Sequence, residues 1–391
     1  MKRCMCCFPL LRVAQMAMAQ VSERVVYGAT IDCRFSVLAR VSVLLPVPQS
    51  NHYQTVQEVN YIDGVKHNVP NSDDKYVRFQ YNSPILDSLC PTITGSITYH
   101  TIYTDFSRVN DSAPYDTTSE DYIRHIGKSG GDYVDPDNEV ICDVADSLWL
   151  LSGGVVNYAR DCYEYVARHF SYLNPNTGLH PLTSILRDGG GDCGNLSSVF
   201  VSLLRNKRIP ARHVVSFSPS GGHHVWAEFL VQGYGWIPVD VTYHKSDLAT
   251  DYFGRYDYNA VVVGFDVGHE YSRWDDSDTY TYDILQTFHW WYWGDLFSGT
   301  ANWRISRETL PPEGIVIADR SPVNAYSVSG VIMIEGGDGE PVGIYNAQGQ
   351  LVYVPRVVKK RMAFQVRHTG FYIVRMANGF AQRLFVVSAG R

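Results

Sequence analysis

The stretch Asp188-Gly-Gly-Gly-Asp192-Cys193-Gly194-Asn195-Leu-Ser-Ser-Val-Phe-Val-Ser-Leu-Leu-Arg205 sets the reading of the whole chain. Gly189, Gly190 and Gly191 permit a tight turn that side chains would block. After Asn195 the apolar residues Leu196, Val199, Phe200, Leu203 and Leu204 recur at helical spacing. Cys193 therefore stands where a turn becomes a helix. Unpaired N–H groups and the positive end of the helix dipole favour a thiolate there, and the thiolate is the nucleophile. A lone cysteine in such a turn is more often a buried, inert residue, so its meaning depends on which partners the later strands bring to it.

Downstream, Arg212–Phe217, His223–Val231 and Trp236–Asp240 alternate or are β-branched and are separated by glycine-containing turns, which reads as a β-meander. Alternation puts His224, Trp226 and Glu228 on one face of the middle strand and Val225, Ala227 and Phe229 on the other. Asp240 falls on the adjoining strand, within reach of His224 if the hairpin register holds. A helix delivering a cysteine beside a sheet delivering a histidine is what a thiol–imidazole pair requires, and a carboxylate beside the histidine would fix its tautomer and stabilise its charged form. By the same alternation His223 points away, as a surface or packing residue.

Gly191-Asp-Cys-Gly-Asn195, Arg205-x-x-x-Ile209-Pro-Ala-Arg212, His224-Val-Trp-Ala-Glu-Phe229 and Gly235-Trp-Ile-Pro-Val-Asp-Val-Thr242 together resemble the transglutaminase-like superfamily, over about 140–304. Tyr252-Phe-Gly254 and the aromatic run Phe288–Trp293 are similar to the tail of its bacterial members. The resemblance implies a papain-like core with Cys193 as nucleophile, His224 as base and acid, and Asp240 as orienter. It also implies substrate-binding or supporting roles for Trp226, Trp236, Gly191 and Asp192. The implied activity is that of a cysteine peptidase or amidase working through a thioester on a protein, peptide or cell-wall peptide. A crosslinking transglutaminase and a surface binding protein with a relic triad are the alternatives.

The 391 residues carry 45% hydrophobic and 19% charged side chains, enough for packed cores and for more than one domain. A net charge of −7 without a Lys/Arg-rich face beyond Lys359-Lys-Arg361 argues against nucleic acid as a partner. His213, His223 and His224 lack the ligand spacing of a zinc site, so neither a metal nor a cofactor is expected. Asp275-Asp-Ser-Asp278 lacks the glycine and terminal glutamate of a calcium loop and reads as a solvated turn.

Residues 1–19 have a basic start, a short apolar stretch and Ala17-Met-Ala19, and are expected to be an export signal; no later stretch is long enough for a transmembrane helix. Of the cysteines beyond the leader, Cys193 is expected to be a free thiol and Cys162 a core residue on a helix. Cys33, Cys90, Cys142 and Cys162 could pair in several ways or not at all.

The expected fold class is α+β, with the papain-like core flanked by β domains. Residues 20–110 read as an N-terminal β-sandwich from short strands broken by Pro, Gly, Asn and Asp. Leu45-Pro-Val-Pro48 and Gln54 are similar to the sandwich that precedes the core in many relatives. An Asp-rich linker at 111–137 should pack on the catalytic domain, 138–308, and Asn174-Pro-Asn-Thr-Gly178 should end a helix by turn chemistry. Residues 320–391 read as a small all-β domain. Its Ile344-Tyr-Asn-Ala-Gln-Gly-Gln-Leu-Val352 and Gly370-Phe-Tyr-Ile-Val374 resemble the C-terminal sorting domain of type IX secretion cargo in Bacteroidetes, with a carbohydrate-binding or adhesive domain as the alternative. That resemblance implies contact with a secretion machinery and a secreted or cell-surface location.

Overall fold

The computed structural model describes residues 21–35, 39–82, 86–173, 178–218, 220–310, 324–328, 331–335, 341–346, 351–357, 361–366, 368–376 and 381–387. The leader at 1–19 and residues 174–177 of the expected helix-ending turn lie outside them. Chain contacts divide into two compact units, 1–312 and 313–391.

The first unit opens with Ser22–Phe35, in which Val25, Tyr27, Ala29, Ile31, Cys33 and Phe35 are buried at every second position. This alternation turns one face of the strand inward. The inward face meets Val41, Val43, Leu45, Val77 and Phe79 of a second sheet, making the core of an antiparallel sandwich. One sheet runs in the order Leu296–Leu310, Ser22–Phe35, Thr92–Tyr99, Gln54–Tyr61, with Leu86–Leu89 also on Ser22–Phe35. The other runs His289–Trp293, Arg40–Pro46, Lys75–Asn82, Gly64–Asn68.

Two of these strands were expected elsewhere. Residues 289–308 read in sequence as part of the catalytic domain, and the aromatic run as packing on its core. Instead, His289–Trp293 pairs with Arg40–Pro46, and Leu296–Leu310 runs along Ser22–Phe35 from Leu310 opposite Ser22. Trp290 packs against the sandwich core, and Arg40 lies over the rings of Trp274 and Trp293. Ser22–Phe35 and Arg40–Pro46 otherwise expose edge N–H and C=O groups, and the returning chain satisfies them.

The second core of this unit packs the helices Glu139–Ser152, Val155–His169 and Cys193–Asn206 on a four-stranded antiparallel sheet. The sheet order is Gly235–Val239, His223–Val231, Ala211–Phe217, Val261–Phe265. Its last strand extends the meander read from sequence. One face presents Ala227, Phe229, Ile237 and Val239 to Leu196, Val199, Phe200, Leu203 and Leu204 of the cysteine helix. Every residue of that helix from Gly194 to Arg205 is buried. Ser197, Ser198 and Ser202 tolerate burial because each hydroxyl donates to a carbonyl one turn back, at 2.9, 3.2 and 2.7 Å. Arg205, 1% exposed, donates to Ala211 O, Gly127 O and Asp266 Oδ2 at 2.8, 2.8 and 2.5 Å. Cys162 is buried, and burial pushes its thiol well above the usual range.

Segment 111–137 lies on this core, with the Tyr115 hydroxyl donating to Leu230 O at 2.7 Å. The sandwich and this four-stranded sheet share a hydrophobic core: Val215, Phe217, Val261 and Val263 belong to the cluster containing Val25, Tyr27 and Val43. Gln54, fully buried, adds an amide clasp, donating to Val262 O at 2.7 Å and accepting from Val262 N at 2.9 Å. At 275–278 the turn is closed by Asp275 Oδ1, which accepts from Ser277, and by Arg273 on Asp278. Cys90, Cys142, Cys162 and Cys193 carry free thiols.

Among the described residues the second unit is all β. It contains the sheets Asn324–Val328, Val331–Glu335, Arg361–Gln365 and Leu351–Val357, Pro341–Asn346, Gly370–Met376, Ala381–Val386 around Ile332, Ile334, Val342, Ile344, Phe364 and Val374. No helix among the described residues is long and apolar enough to cross a membrane.

Candidate active site

Cys193 is the first residue of its helix, and the turn before it is built by close backbone approach. Gly189 caps the preceding helix Leu182–Asp188 at φ 69°. Gly190 and Gly191 pair in parallel with Ser171 and Tyr172. A Cβ on Gly190 would sit 2.1 Å from Ser171 O, and one on Gly191 would sit 2.4 Å from Asn195 Cβ. Asp192 is the N-cap: its Oδ1 accepts from Asn195 N at 3.1 Å and from Asn195 Nδ2 at 2.8 Å. Asn195 Oδ1 in turn accepts from His180 N at 2.9 Å, so the loop before the helix is tied to its first turn. Burial raises the Asp192 carboxyl, opposed by the hydrogen bonds from Asn195 and Gly194.

His224 comes from the strand His223–Val231, where Ala227 lies opposite Val239, so that Asp240 leaves the neighbouring strand beside the histidine. His224 Nε2 and Asp240 Oδ2 are 2.6 Å apart. Asp240 is 1% exposed and fully engaged: Oδ2 also accepts from the Tyr258 hydroxyl at 2.9 Å, and Oδ1 accepts from Tyr243 N at 2.9 Å as the N-cap of the helix Val241–Ser246. Burial opposes the charged imidazolium of His224. The charge and hydrogen bond of Asp240, helped by a hydrogen bond with Cys193, outweigh that and push its pKa up to about 10. With Nε2 on Asp240, Nδ1 is the nitrogen left for the Cys193 sulfur. The Tyr243 ring stacks on the imidazole at 4.4 Å and an interplanar angle of 11°, which restricts its rotation.

The cysteine opens into a groove of about 550 Å3 lined by Tyr172, Asp192, His223, Asp283 and Gln286 among others. His223 is exposed there, on the rim. Gln286 reaches the site by its amide, Nε2 donating to His224 O at 3.0 Å and to Ser216 O at 2.5 Å.

The four supporting residues read from sequence separate. Gly191 and Asp192 build the cysteine turn. Trp226 is 1% exposed, its ring centroid 5.9 Å from that of His224 and its indole N–H donating to Tyr53 OH at 3.1 Å, so it stands behind the histidine and not on the groove. Trp236 does not line the groove; its ring lies 4.0 Å from the Arg212 guanidinium. His213 is buried, with Nε2 3.1 Å from Ser198 Oγ and 3.3 Å from Gly194 O.

Tyr258, Tyr243 and Gln286 carried no signal that singled them out in sequence. For Tyr243 the N-cap spacing from Asp240 was available; Tyr258 and Gln286 are separated from their partners by 18 and 62 residues. Glu228, on the same strand face as His224, anchors the sandwich loop by accepting from the Tyr53 hydroxyl at 2.6 Å and from Arg212 Nε at 2.7 Å.

Residues 152–241 match the family model of the transglutaminase-like superfamily. In architecture the chain is similar to a solved structure of a candidate cysteine protease from Cytophaga hutchinsonii, at a TM-score of 0.52 and 14% identity, covering 75% of this chain and 92% of that one. It also aligns with the periplasmic domain of TgpA from Pseudomonas aeruginosa, at a TM-score of 0.31 and 15% identity, over 59% of this chain and 90% of that one. Among curated proteins, an uncharacterized protein of Haemophilus influenzae is 33% identical over 75 residues, 13% of this chain; the match spans 20% of that relative's length. The fold is thus α+β, a transglutaminase-like core with β-rich flanks.

Proposed function

We propose that this protein is an exported cysteine hydrolase that cleaves amide bonds in a protein, peptide or cell-wall peptide through a thioester on Cys193. The observation that carries the reading is the 2.6 Å contact of His224 with a buried Asp240, with Cys193 near enough to help raise the imidazole and opening on a groove. In the reaction the Cys193 sulfur bonds to the amide carbonyl carbon with its proton already held on the His224 imidazolium. N–H groups at the start of the cysteine helix face the oxygen that becomes an oxyanion. The C–N bond then breaks as His224 returns the proton to the departing amine. Water, deprotonated by His224, cleaves the thioester and releases the acid. Asp240 holds the imidazole in one tautomer and stabilises its charged form throughout.

Export is the second half of the reading. It is supported by the signal-like leader and by a C-terminal all-β unit that is compact in its own right. A peptidomic comparison of cells producing the wild type and Cys193→Ala tests the activity. Peptides that accumulate only with the wild type are expected and would define the cleaved bond, whereas identical peptidomes combined with an unlabelled Cys193 in an electrophilic thiol probe would reject the hydrolase.

A further inference from the structure

A second cavity, of about 370 Å3, lies between the sandwich loop 70–74, the segment 124–130 and the turn 265–270, and shares no lining residue with the Cys193 groove. Much of its charged lining is engaged elsewhere. Arg124 pairs with Asp73 at 3.2 Å and Glu120 at 3.0 Å, Lys128 with Asp135 at 2.8 Å, and Asp266 with Arg205 at 2.5 Å.

Arg212 is different. It is 9% exposed, its Nε donates to Glu228 Oε1 at 2.7 Å, and its guanidinium is held 4.0 Å from both the Trp236 and the Phe265 rings. Among the described residues its two terminal nitrogens have no hydrogen-bond partner, and it lines the cavity. Its terminal N–H groups therefore open into the cavity, where they can donate to an acceptor bound there. The two rings fix its plane, so the free edge is preset for two coplanar oxygens, which a carboxylate supplies. Asp74 and Glu270 line the same cavity. Asp74 is 7% exposed and its Oδ2 accepts from Phe265 N at 2.8 Å. Burial pushes the Asp74 carboxyl up to about 6, against which the neighbouring His269 and Arg212 favour its charged form. A doubly charged phosphate would face these carboxylates, whereas a carboxylate that also carries an ammonium group matches both signs.

We propose that this cavity binds a small zwitterion, with the carboxylate on the terminal nitrogens of Arg212 and the ammonium group toward Asp74 and Glu270. A free amino acid and a short peptide share this chemistry, and probe length separates them. Calorimetric titration of the full chain with L-alanine and with L-alanyl-L-alanine is the test. Saturable binding of either is expected, and the tighter of the two gives the ligand's length. N-acetyl-L-alanine and L-alaninamide each lack one charge and should bind roughly tenfold more weakly or worse, as expected for losing a charge-assisted contact. Arg212→Lys keeps the charge without the fork and should weaken binding. Because Arg212 is also packed into the fold, Thr281→Trp, at an exposed position on the cavity wall, fills the space independently and should abolish it. Thermal melts verify that both variants are folded. Failure of both probes to saturate the wild type, unchanged affinity in folded Thr281→Trp, N-acetyl-L-alanine binding as tightly as L-alanine, or tighter binding of inorganic phosphate would each overturn the proposal.

Discussion

Gln286 holds His224 by its main chain: the glutamine amide donates to the His224 carbonyl at 3.0 Å while also gripping the Ser216 carbonyl on the adjacent strand at 2.5 Å. The bond is to the backbone, so it fixes where the strand carrying the histidine begins without touching the imidazole. Gln286→Ala is expected to lower kcat roughly tenfold with little change in KM, because small misplacement of a catalytic group costs rate more than binding. It should also destabilise the fold by about 1 kcal/mol, since two carbonyl oxygens in a partly buried site each lose one donor while the His224 carbonyl keeps the Ser216 hydroxyl at 3.0 Å. Steady-state kinetics and urea unfolding of the variant check both.

Cys193→Ala and His224→Ala should each reduce turnover by about 10^4-fold or more, while Asp240→Asn should retain a measurable residue, because the orienter acts on tautomer and charge and not on bond making. His223→Ala, on the groove rim, should change KM more than kcat. Turnover on a peptide identified by the peptidomic comparison gives the ranking; a dead His223→Ala beside an active His224→Ala would reverse the assignment.

The raised pKa of His224 makes part of the stability depend on pH. Its unfolded value is 6.5 and its folded value is pushed up to about 10. The folded state therefore binds the extra proton, and the stabilisation is fully present below 6.5 and is lost as pH rises through 10. The melting-temperature gap between wild type and His224→Ala should shrink across that window. NMR titration of the His224 ring should still report an imidazolium at pH 8; a midpoint near 6.5 would contradict it.

Gln54→Ala removes both bonds of the buried clasp and leaves the N–H and C=O of Val262 without partners. The expected loss is about 2–5 kcal/mol, measurable by urea unfolding of the full chain. Deleting the sandwich should be worse. The core of Val25, Tyr27 and Val43 includes Val215 and Phe217, so residues 104–310 alone should aggregate.

A chain ending at Pro312 keeps every pair of Leu296–Leu310 with Ser22–Phe35, whereas one ending at Arg307 loses the pairing of Glu308, Thr309 and Leu310. The longer truncation should hydrolyse substrate at the full-length rate and accumulate inside the producing cell, if the C-terminal unit is an address. Activity and fractionation on one preparation test both halves, and normal export would remove the sorting role.

Local pattern made much of the architecture legible. The alternation from Val25 to Phe35, the helical spacing from Leu196 to Leu204, and the glycines before Cys193 each carry their structural reason within a few residues. The order cysteine, histidine, aspartate was readable because helix start, strand and strand end are local features, and hairpin register then follows from short turns.

What the sequence by itself determined is therefore the helix that begins at Cys193, the strand that carries His224 and the strand end where Asp240 sits. Tertiary structure alone decided that residues 289–310 return to complete the sandwich, since strand pairing is a long-range choice that apolar alternation does not encode. It likewise placed Tyr258 on Asp240, Gln286 on the His224 carbonyl, and Trp236 on Arg212 rather than on the cysteine groove. Each of those contacts joins residues whose chemistry is ordinary in isolation, and their meaning comes from burial beside a particular partner that only the folded chain supplies.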